Sequence, residues 1–269
     1  MQRLAPYQSG LWLAEYINLR CQLCHVYRSA PQDLASWQSN NLSHTHNSTQ
    51  AFLSRLHYKF NKGLLCSRCH DSIAWRPTAF TVDIAAGTSL PIQAATYYDY
   101  PLRQVIRAFK HHEDMTKLPL LVHVIRQLPR PTGCHSGNSV ILPMPTTANR
   151  LVKRGFDPVT ILSLYLSKHW QIPLWHGVKR VDDTISQQGL TRAERLTNLD
   201  NAFVLSELPP VKRILLFDDV ATTGASLQAL ARTIYQQSAP AFLTDQDSTT
   251  QSKRYHLSAY ALAHGNMGK

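Results

Sequence analysis

Two adjacent acids follow an apolar segment in the last quarter of the chain. Residues 214–217, Ile-Leu-Leu-Phe, predict a fully buried strand, and Asp218 and Asp219 come directly after them. Carboxylates accept hydrogen bonds from sugar hydroxyls. A phosphate-binding turn alone does not recognise these hydroxyls. The two acids are therefore candidates to hold the two hydroxyls of a ribose.

The six residues after Val220 have the composition of a phosphate-binding turn: Ala221, Thr222, Thr223, Gly224, Ala225 and Ser226. Backbone amides at the positive end of a helix bind phosphate. Hydroxyl groups add donors, and a glycine lets the backbone approach a ligand closely. The simpler interpretation is a buried strand followed by a helix N-cap, since Asp and Thr are ordinary capping residues.

Four of the five cysteines form two pairs with the same spacing near the N-terminus, Cys21/Cys24 and Cys66/Cys69. Two intervening residues let both sulfurs of a pair bind one tetrahedral ion. The pairs therefore predict a closed, structural zinc site with no open position for a substrate. A redox dithiol and incidental thiols are the alternatives. Four nearby histidines are candidates to replace a cysteine: His25, His44, His46 and His70.

The fifth cysteine, Cys134, precedes His135 in a turn-rich stretch at 131–137. A Cys–His pair can form an activated nucleophile when a third group orients it. The neighbouring sequence offers no such third group, so we expect no catalytic role for this thiol.

Three further groups of polar and basic residues are candidates to bind an anion. The first follows a predicted strand, where a diphosphate could be held: Pro143, Met144, Pro145, Arg150 and Arg154. The second, at 187–195, has the composition of a segment that folds over a ligand and includes Arg195. The third is Lys110, at the end of a predicted helix. Lys110 and Arg195 are also candidates to add positive charge to a departing diphosphate. For each group, the alternative is a solvated surface.

Beyond about residue 80, strand and helix signals alternate, which is typical of a parallel α/β sheet. The predicted strands are 95–99, 139–145, 213–217 and 256–263. The predicted helices are 102–112, 118–128 with Pro119 in its first turn, and 225–237. Residues 4–19 fit a short amphipathic helix, and residues 244–252 a surface loop.

This pattern predicts two domains. Residues 1–80 are expected to form a zinc-binding module with a polar insert at about 30–60. Residues 81–269 are expected to form the α/β domain, which positions the acids and the phosphate-binding turn.

Composition argues against a membrane protein. No run approaches the roughly 18 uninterrupted apolar residues that a membrane span needs, and the N-terminus lacks the pattern of a signal peptide. We therefore expect a cytoplasmic protein. The net charge of +11 favours contact with a polyanion and retention of a phosphorylated ligand. A basic surface without a specific partner is the alternative.

The order of these motifs resembles the ComF family, which is linked to DNA uptake, competence and DNA utilisation. The run at 214–226 closely resembles the phosphoribosyl pyrophosphate signature of type I phosphoribosyltransferases. The other shared elements are the two cysteine pairs, Phe-Lys-His at 109–111, Pro-Met-Pro at 143–145, Arg-Gly-Phe-Asp at 154–157, and Gln188 with Arg195, Asn198, Ala202 and Phe203. The likeness covers nearly the whole chain.

Two features depart from the family pattern. Asp157-Pro158 stands where the family more often has Asn-Gln, which adds a negative charge beside the expected diphosphate loop. The insert between the cysteine pairs is also longer than expected. Both departures concern local geometry.

The resemblance implies a type I phosphoribosyltransferase-like parallel sheet flanked by helices, with a small N-terminal four-cysteine zinc module. It also implies phosphoribosyl pyrophosphate or a related sugar phosphate as the ligand, with Mg²⁺ bridging the diphosphate and the ribose. Whether the chain is an enzyme stays open, because no pocket for a nitrogen nucleophile is recognisable.

Two functions are consistent with this resemblance. The first is a binding protein of DNA uptake or utilisation, whose basic zinc module contacts single-stranded DNA or a partner such as a DNA-uptake helicase or another competence protein. Aromatic residues among the basic ones suit base stacking, although they also suit a module core: Tyr27, Trp37, Tyr58, Phe60 and Trp75. The second is an active phosphoribosyltransferase that transfers ribose 5-phosphate to a nitrogenous acceptor and releases diphosphate.

Overall fold

The computed structural model describes residues 20–26, 64–181, 202–237 and 255–265. The chain divides into two compact units, residues 1–73 and 74–269. The described part of the first unit contains both cysteine pairs and a short helix, α1 (Ser67–Asp71). None of the helices in the described ranges combines the length and the apolar composition needed to cross a membrane.

The second unit alternates strands and helices. In chain order, its described elements are β1 (Phe80–Ala85), β2 (Thr88–Tyr97), α2 (Leu102–His112), a 3₁₀ turn (Met115–Lys117), α3 (Leu118–Ile125), β3 (Ser139–Pro143), α4 (Ala148–Arg154), α5 (Pro158–Trp170), β4 (Val178–Arg180), β5 (Phe203–Leu205), β6 (Arg213–Ala221), α6 (Ala225–Gln237) and β7 (His256–His264).

Most strands of the main sheet run parallel. The strand order within the described residues is β1-β2-β7-β6-β3. β2, β7, β6 and β3 pair in parallel, and β1 adds an antiparallel edge through a hairpin with β2. Helices pack against this sheet, and β4 and β5 form a separate antiparallel pair. The predicted α/β class, a mostly parallel sheet flanked by helices, is confirmed.

The strand that contains the acids, β6, has a neighbouring strand on each side and is longer than predicted. β6 lies between β7 and β3, and residues 214–219 are all buried, which is why this strand has an uninterrupted apolar run. The strand continues beyond Phe217 to Ala221 because β7 still pairs with it, Asp218 opposite Ala261 and Ala221 opposite His264. The acids therefore lie within the strand and not in the loop after it.

The prediction of a strand at 95–99 was correct in place but wrong in extent. β2 begins at Thr88 and ends at Tyr97. Its first half alternates exposed and buried residues because it pairs with the edge strand β1, and Pro91 lies on the exposed face. The predicted strand at 139–145 ends earlier, at Pro143.

The predicted helices are present. α2 and α6 have the predicted bounds, and α2 buries Leu102, Val105, Ile106 and Phe109 at helical spacing. α3 begins at Leu118 with Pro119 in its first turn, as predicted, but ends at Ile125 instead of continuing to residue 128. The segments predicted at 4–19, 30–60 and 244–252 lie outside the described residues.

Candidate functional site

The two acids occupy consecutive positions in β6, so their side chains leave opposite faces of the sheet. Both residues are buried. The backbone amide of Asp219 donates a hydrogen bond to Asp218 Oδ1 at 2.8 Å, which fixes the rotamer of the first carboxyl group. The pair is therefore a rigid acceptor at the carboxyl end of a central parallel strand, where α/β proteins commonly bind ligands.

Burial changes the acidity of Asp218. Loss of solvent contact raises its pKa to about 7, and the adjacent carboxylate of Asp219 acts in the same direction. The charges of Lys110 and Arg180 and the amide of Asp219 lower the pKa, but they do not offset burial. Near neutral pH, Asp218 is therefore partly protonated and can either accept or donate a hydrogen bond.

Lys110 pairs directly with Asp219. Its Nζ lies 2.6 Å from Asp219 Oδ2, with 25% of the lysine side chain and 7% of the aspartate side chain exposed. Lys110 is in the last turn of α2, and Phe109 beside it is buried, so the apolar face of the helix directs the lysine towards the end of β6. The structure thus brings together two residues that the sequence separates by more than a hundred positions.

The turn after β6 depends on Gly224. This residue has a φ of +76°, a backbone conformation that L side chains rarely adopt. A Cβ at this position would lie 2.6 Å from Ile92 Cδ1 and 3.1 Å from Val82 Cγ1, so the turn packs tightly against the β1–β2 hairpin. Glycine is therefore required both for the turn and for the close approach of α6 to that hairpin.

Helix capping occurs in the same turn that the sequence predicts to bind phosphate. Thr223 Oγ1 accepts a hydrogen bond from the backbone amide of Ala225 at 3.3 Å, as the capping interpretation predicted. Thr222 is exposed, and Thr223, Ala225 and Ser226 are partly exposed. Four of the six residues predicted to bind phosphate are therefore at least partly exposed at the start of a 13-residue helix, whereas Ala221 and Gly224 are buried.

The end of β7 positions the same turn, a role that the sequence did not reveal. The amide of Gly265 donates to the carbonyl oxygen of Ala221 at 2.8 Å, and His264 Nδ1 lies 3.0 Å from that oxygen. A Cβ on Gly265 would lie 2.5 Å from Thr222 Cγ2. A glycine two residues after the end of the last predicted strand was the available signal.

The expected diphosphate segment begins beside the acids. Pro143 pairs with Phe217 in the sheet, and the amide of Met144 donates to the carbonyl oxygen of Phe217 at 2.7 Å. Pro145 follows this contact. The segment therefore leaves the sheet next to the strand that contains Asp218 and Asp219.

Arg150 and Arg154 lie on α4, which follows that segment. Thr147 caps the helix by accepting a hydrogen bond from the amide of Arg150 at 3.2 Å. The helix ends at Arg154, and Gly155, whose φ is +74°, caps it. The next residue, Phe156, contacts Phe109 of α2 edge-on, with ring centroids 5.4 Å apart, and this contact connects the arginines to the helix of Lys110.

Positive charge accumulates where α2 and α4 approach each other. Burial lowers the pKa of His111, and the charges of Lys110, Arg154 and Arg107 lower it further. His111 is exposed, but it stays neutral more readily than a histidine without these positive neighbours. The local potential favours an anion.

Asp157, the departure from the family pattern, has a structural role. Its Oδ1 accepts hydrogen bonds from the amides of Val159 and Thr160, and its Oδ2 accepts one from the Thr160 hydroxyl at 2.7 Å. The carboxylate is the N-cap of α5, with Pro158 in the first turn. Its charge is therefore engaged by the start of a helix.

Two more basic residues, Arg195 and Arg180, concern the candidate site. Arg195 lies outside the described residues, so its predicted role stays a prediction. Arg180, on β4, was not singled out by the sequence. Its charge nevertheless lowers the pKa of Asp218, and the charge of Asp218 raises the pKa of Arg180. A single arginine in a short polar strand gives no pattern by which it could have been found.

The four paired cysteines form one cluster in the first unit. The sulfur atoms of Cys21, Cys24, Cys66 and Cys69 all lie within 4.8 Å of one another. Each pair begins in the same way, because the carbonyl oxygens of Cys21 and Cys66 accept the amides of His25 and His70, both at 2.9 Å. The amide of Gln22 donates to the carbonyl oxygen of Leu64 at 2.8 Å, which connects the two pairs.

This donor set fits a tetrahedral ion. Cys24 Sγ and Cys66 Sγ are 3.9 Å apart, close to the separation of about 3.8 Å that two zinc–sulfur bonds at a tetrahedral angle give. The cluster found among the described residues contains cysteines alone, without His25 or His70, whereas His44 and His46 lie outside the described residues. The cluster could hold a metal ion such as zinc.

Cys134 lies apart from this cluster, in the second unit. It is buried, and Arg213 Nη1 lies 3.8 Å from its sulfur. The same guanidinium donates to the carbonyl oxygen of Thr132 at 3.3 Å, so it holds the turn before β3. His135 instead accepts, through Nδ1, a hydrogen bond from the amide of Gly137.

Together, these observations define a class: an α/β protein with a buried acid pair and an adjoining turn at the end of a parallel strand, and with a separate four-cysteine cluster. No protein-family model matches the chain. Curated proteins, in contrast, match part of the chain. The chain is 35% identical over 144 residues to competence protein F of Haemophilus influenzae and 31% identical over 123 residues to the DNA utilization protein YhgH of Salmonella typhimurium.

The names of these relatives, which refer to competence and DNA utilization, agree with the family that the sequence motifs resemble. The first match covers 51% of this chain and 62% of the relative, and the second covers 45% and 53%. The chain thus spans between half and two thirds of the length of the curated relatives it matches.

The comparison with solved structures includes a phosphoribosyltransferase that aligns with much of the chain. Orotate phosphoribosyltransferase from Aeropyrum pernix matches 73% of this chain and 78% of its own, at 14% identity and a TM-score of 0.32. A likeness at this level adds nothing to what the strand order already establishes about the fold.

Proposed function

We propose that this protein acts in DNA uptake or DNA utilisation and that its second unit binds phosphoribosyl pyrophosphate or a related sugar phosphate. The relatives named for competence and DNA utilization support the first part. The single observation that carries the second part is the buried pair Asp218 and Asp219, placed directly before an accessible turn and the start of α6.

In this proposal, each part of the ligand meets a separate part of the site. The ribose hydroxyls donate to the carboxylates of Asp218 and Asp219, and the 5′-phosphate lies at residues 221–226. The second phosphate group lies towards residues 143–154, where Arg150 and Arg154 contribute positive charge. Mg²⁺ enters with the ligand and offsets the charge of its diphosphate.

The first unit has a structural role in this proposal. We propose that Cys21, Cys24, Cys66 and Cys69 bind a structural zinc ion, which leaves no position for catalysis. Thiolate ligands need a reducing compartment, so we expect the protein in the cytoplasm. Of the aromatics considered for base stacking, Trp75 belongs to the second unit, where it contacts the ring of His123 edge-on, and the others lie outside the described residues.

The comparisons do not favour an active phosphoribosyltransferase over this role. Ligand binding is therefore the part of the proposal to test first, and turnover is a separate question.

The test is a calorimetric titration of the full chain with phosphoribosyl pyrophosphate and Mg²⁺. The unmutated protein is expected to bind, and the double variant Asp218→Asn/Asp219→Asn to lose at least about tenfold in affinity, because hydrogen bonds to charged acceptors are lost. Asp83→Asn is the matched control, since Asp83 is exposed on β1. An unmutated protein that does not bind would refute the ligand proposal.

The DNA-related part has its own test. Affinity for single-stranded DNA is measured by fluorescence anisotropy at several salt concentrations. Direct contact with DNA predicts binding whose logarithm falls linearly with the logarithm of the salt concentration. If no binding is observed, or if binding is insensitive to salt, then a protein partner and not DNA is the contact.

A further inference from the structure

Arg180 is held in place by the small β4–β5 pair. It is opposite Phe203 in that pair, and the amide of Val181 donates to the carbonyl oxygen of Ala202 at 2.9 Å. Its guanidinium carbon lies 5.4 Å from the centre of the Phe203 ring. Phe203 is itself fully buried, so the arginine is fixed against a rigid surface.

One donor of the Arg180 guanidinium has no acceptor in the part of the chain that the structure describes. Its Nε is buried, and no hydrogen-bond acceptor for it exists among the residues that the structure describes. Buried donors without acceptors are rare in native proteins, and those that occur need an explanation. Burial lowers the pKa of Arg180, and so does the positive charge of Arg150.

Among the described residues, the favourable charge that acts on Arg180 is that of Asp218. This carboxyl group is partly protonated near neutral pH and already accepts the amide of Asp219, so it is an incomplete counter-ion. Two arginines that repel each other, one of them with a buried free donor, are expected where an anion belongs between them.

We propose that Arg180, together with Arg150, binds the second, non-5′ phosphate group of the sugar-phosphate ligand and thereby selects ligands that have one. This inference rests on the proposed function, since it names a further residue of the same site. An arginine offers a planar set of donors, so it recognises a phosphate through paired hydrogen bonds in a way that a lysine does not.

The alternative is that Arg180 only packs on Phe203. In that case its replacement disturbs the β4–β5 pair and weakens every ligand equally. Selective loss of the doubly phosphorylated ligand distinguishes the two roles, because ribose 5-phosphate lacks the group that Arg180 is proposed to bind.

The experiment measures the affinity of the full chain for three probes: phosphoribosyl pyrophosphate, ribose 5-phosphate and inorganic diphosphate, each with Mg²⁺. For Arg180→Gln, affinity for the two diphosphate-containing probes is expected to fall by about 10- to 100-fold, and that for ribose 5-phosphate to change less than about twofold. Lys179→Gln is the matched control, because Lys179 is exposed on the same strand and faces the other way.

A second variant tests whether the effect of Arg180→Gln comes from misfolding. Arg180→Lys keeps the charge but loses the paired donors, so it is expected to give an intermediate loss for the diphosphate-containing probes only. Equal losses for all probes, or no loss in either variant, would overturn the inference while the proposed function stands. Failure of the unmutated protein to bind any probe would overturn both.

Discussion

Lys110 Nζ lies 2.6 Å from Asp219 Oδ2, so the last turn of α2 supplies a cation to one of the two acids at the end of β6. The contact joins α2 to β6, a strand that comes about a hundred residues later in the sequence. It also leaves the two acids unequal, since Asp219 has a counter-ion and Asp218 is partly protonated near neutral pH because of its burial.

Removal of this cation is expected to destabilise the fold. Lys110→Gln leaves the carboxylate of Asp219 buried without its partner, so the free energy of unfolding should fall by about 1–2 kcal/mol, less than for a fully buried pair because the lysine is partly exposed. Denaturant unfolding measures this change. Lys168→Gln, an exposed lysine on α5, should change stability by less than about 0.5 kcal/mol.

A double-mutant cycle with Asp219→Asn checks the cause. If the pair is responsible, Lys110→Gln should cost clearly less in the Asp219→Asn background than alone. Equal costs in both backgrounds would show that Lys110 acts through other contacts.

The acidity of Asp218 predicts a pH dependence of stability. The unfolded residue ionises near its ordinary pKa of about 3.9, whereas the folded residue ionises at about 7. Between these values, the folded state binds more protons than the unfolded state, so this residue's contribution to the free energy of unfolding declines as the pH rises from about 4 to about 7. Above that range, the contribution is constant.

Asp218→Asn removes this titration. The stability of the variant relative to the unmutated protein should therefore increase from about pH 4 to about pH 7 and level off above that range. Denaturant unfolding of both proteins across that range measures the difference, with Asp83→Asn as the exposed control. A difference that does not vary with pH would contradict the raised pKa.

Two glycines with similar backbone conformations allow the cost of backbone strain to be measured separately from the cost of a steric clash. Gly224 and Gly87 have φ values of +76° and +69°, but a Cβ would meet Ile92 only at Gly224, and none of the described atoms lies within 4 Å of one at Gly87. Gly87→Ala should cost about 1 kcal/mol for the conformation, and Gly224→Ala at least about 1 kcal/mol more for the clash. Thermal unfolding measures both changes. Similar costs would mean that the turn is not tightly packed against the hairpin.

The cysteine cluster predicts the metal content. The purified protein should contain about one zinc ion per chain, and Cys24→Ser or Cys66→Ser should lose most of it. Cys134→Ser is the control, because Cys134 is also buried but lies outside the cluster. Elemental analysis measures the content. Less than half an equivalent in the unmutated protein, or an equal loss in the control, would contradict the zinc assignment.

The strongest sequence patterns predicted the fold because one physical effect dominates each of them. α2 and α6 were predicted with correct bounds, since their apolar residues recur at helical spacing. The central strand was located by its unbroken apolar run. The end of this strand was not predicted correctly. The pairing of Asp218 with Ala261 in β7 extends β6, and nothing in the local sequence indicates a partner strand.

Elements without a dominant local pattern were missed. β1 and the first half of β2 mix exposed polar residues with buried ones, as an antiparallel edge does, and β4 and β5 are only three residues long. The site followed the same rule. Asp218, Asp219 and Gly224 became candidates from contiguous sequence, whereas Arg180 and Gly265 act through contacts that only the folded chain provides.

The central claim is that Asp218 and Asp219 hold the hydroxyls of a ribose. The most direct test compares the dissociation constants of ribose 5-phosphate and 2-deoxyribose 5-phosphate, in the unmutated protein and in Asp218→Asn/Asp219→Asn. The unmutated protein should bind the ribose form at least about tenfold more tightly, and the double variant should bind both forms alike. An unmutated protein that does not distinguish the two sugars would contradict the claim.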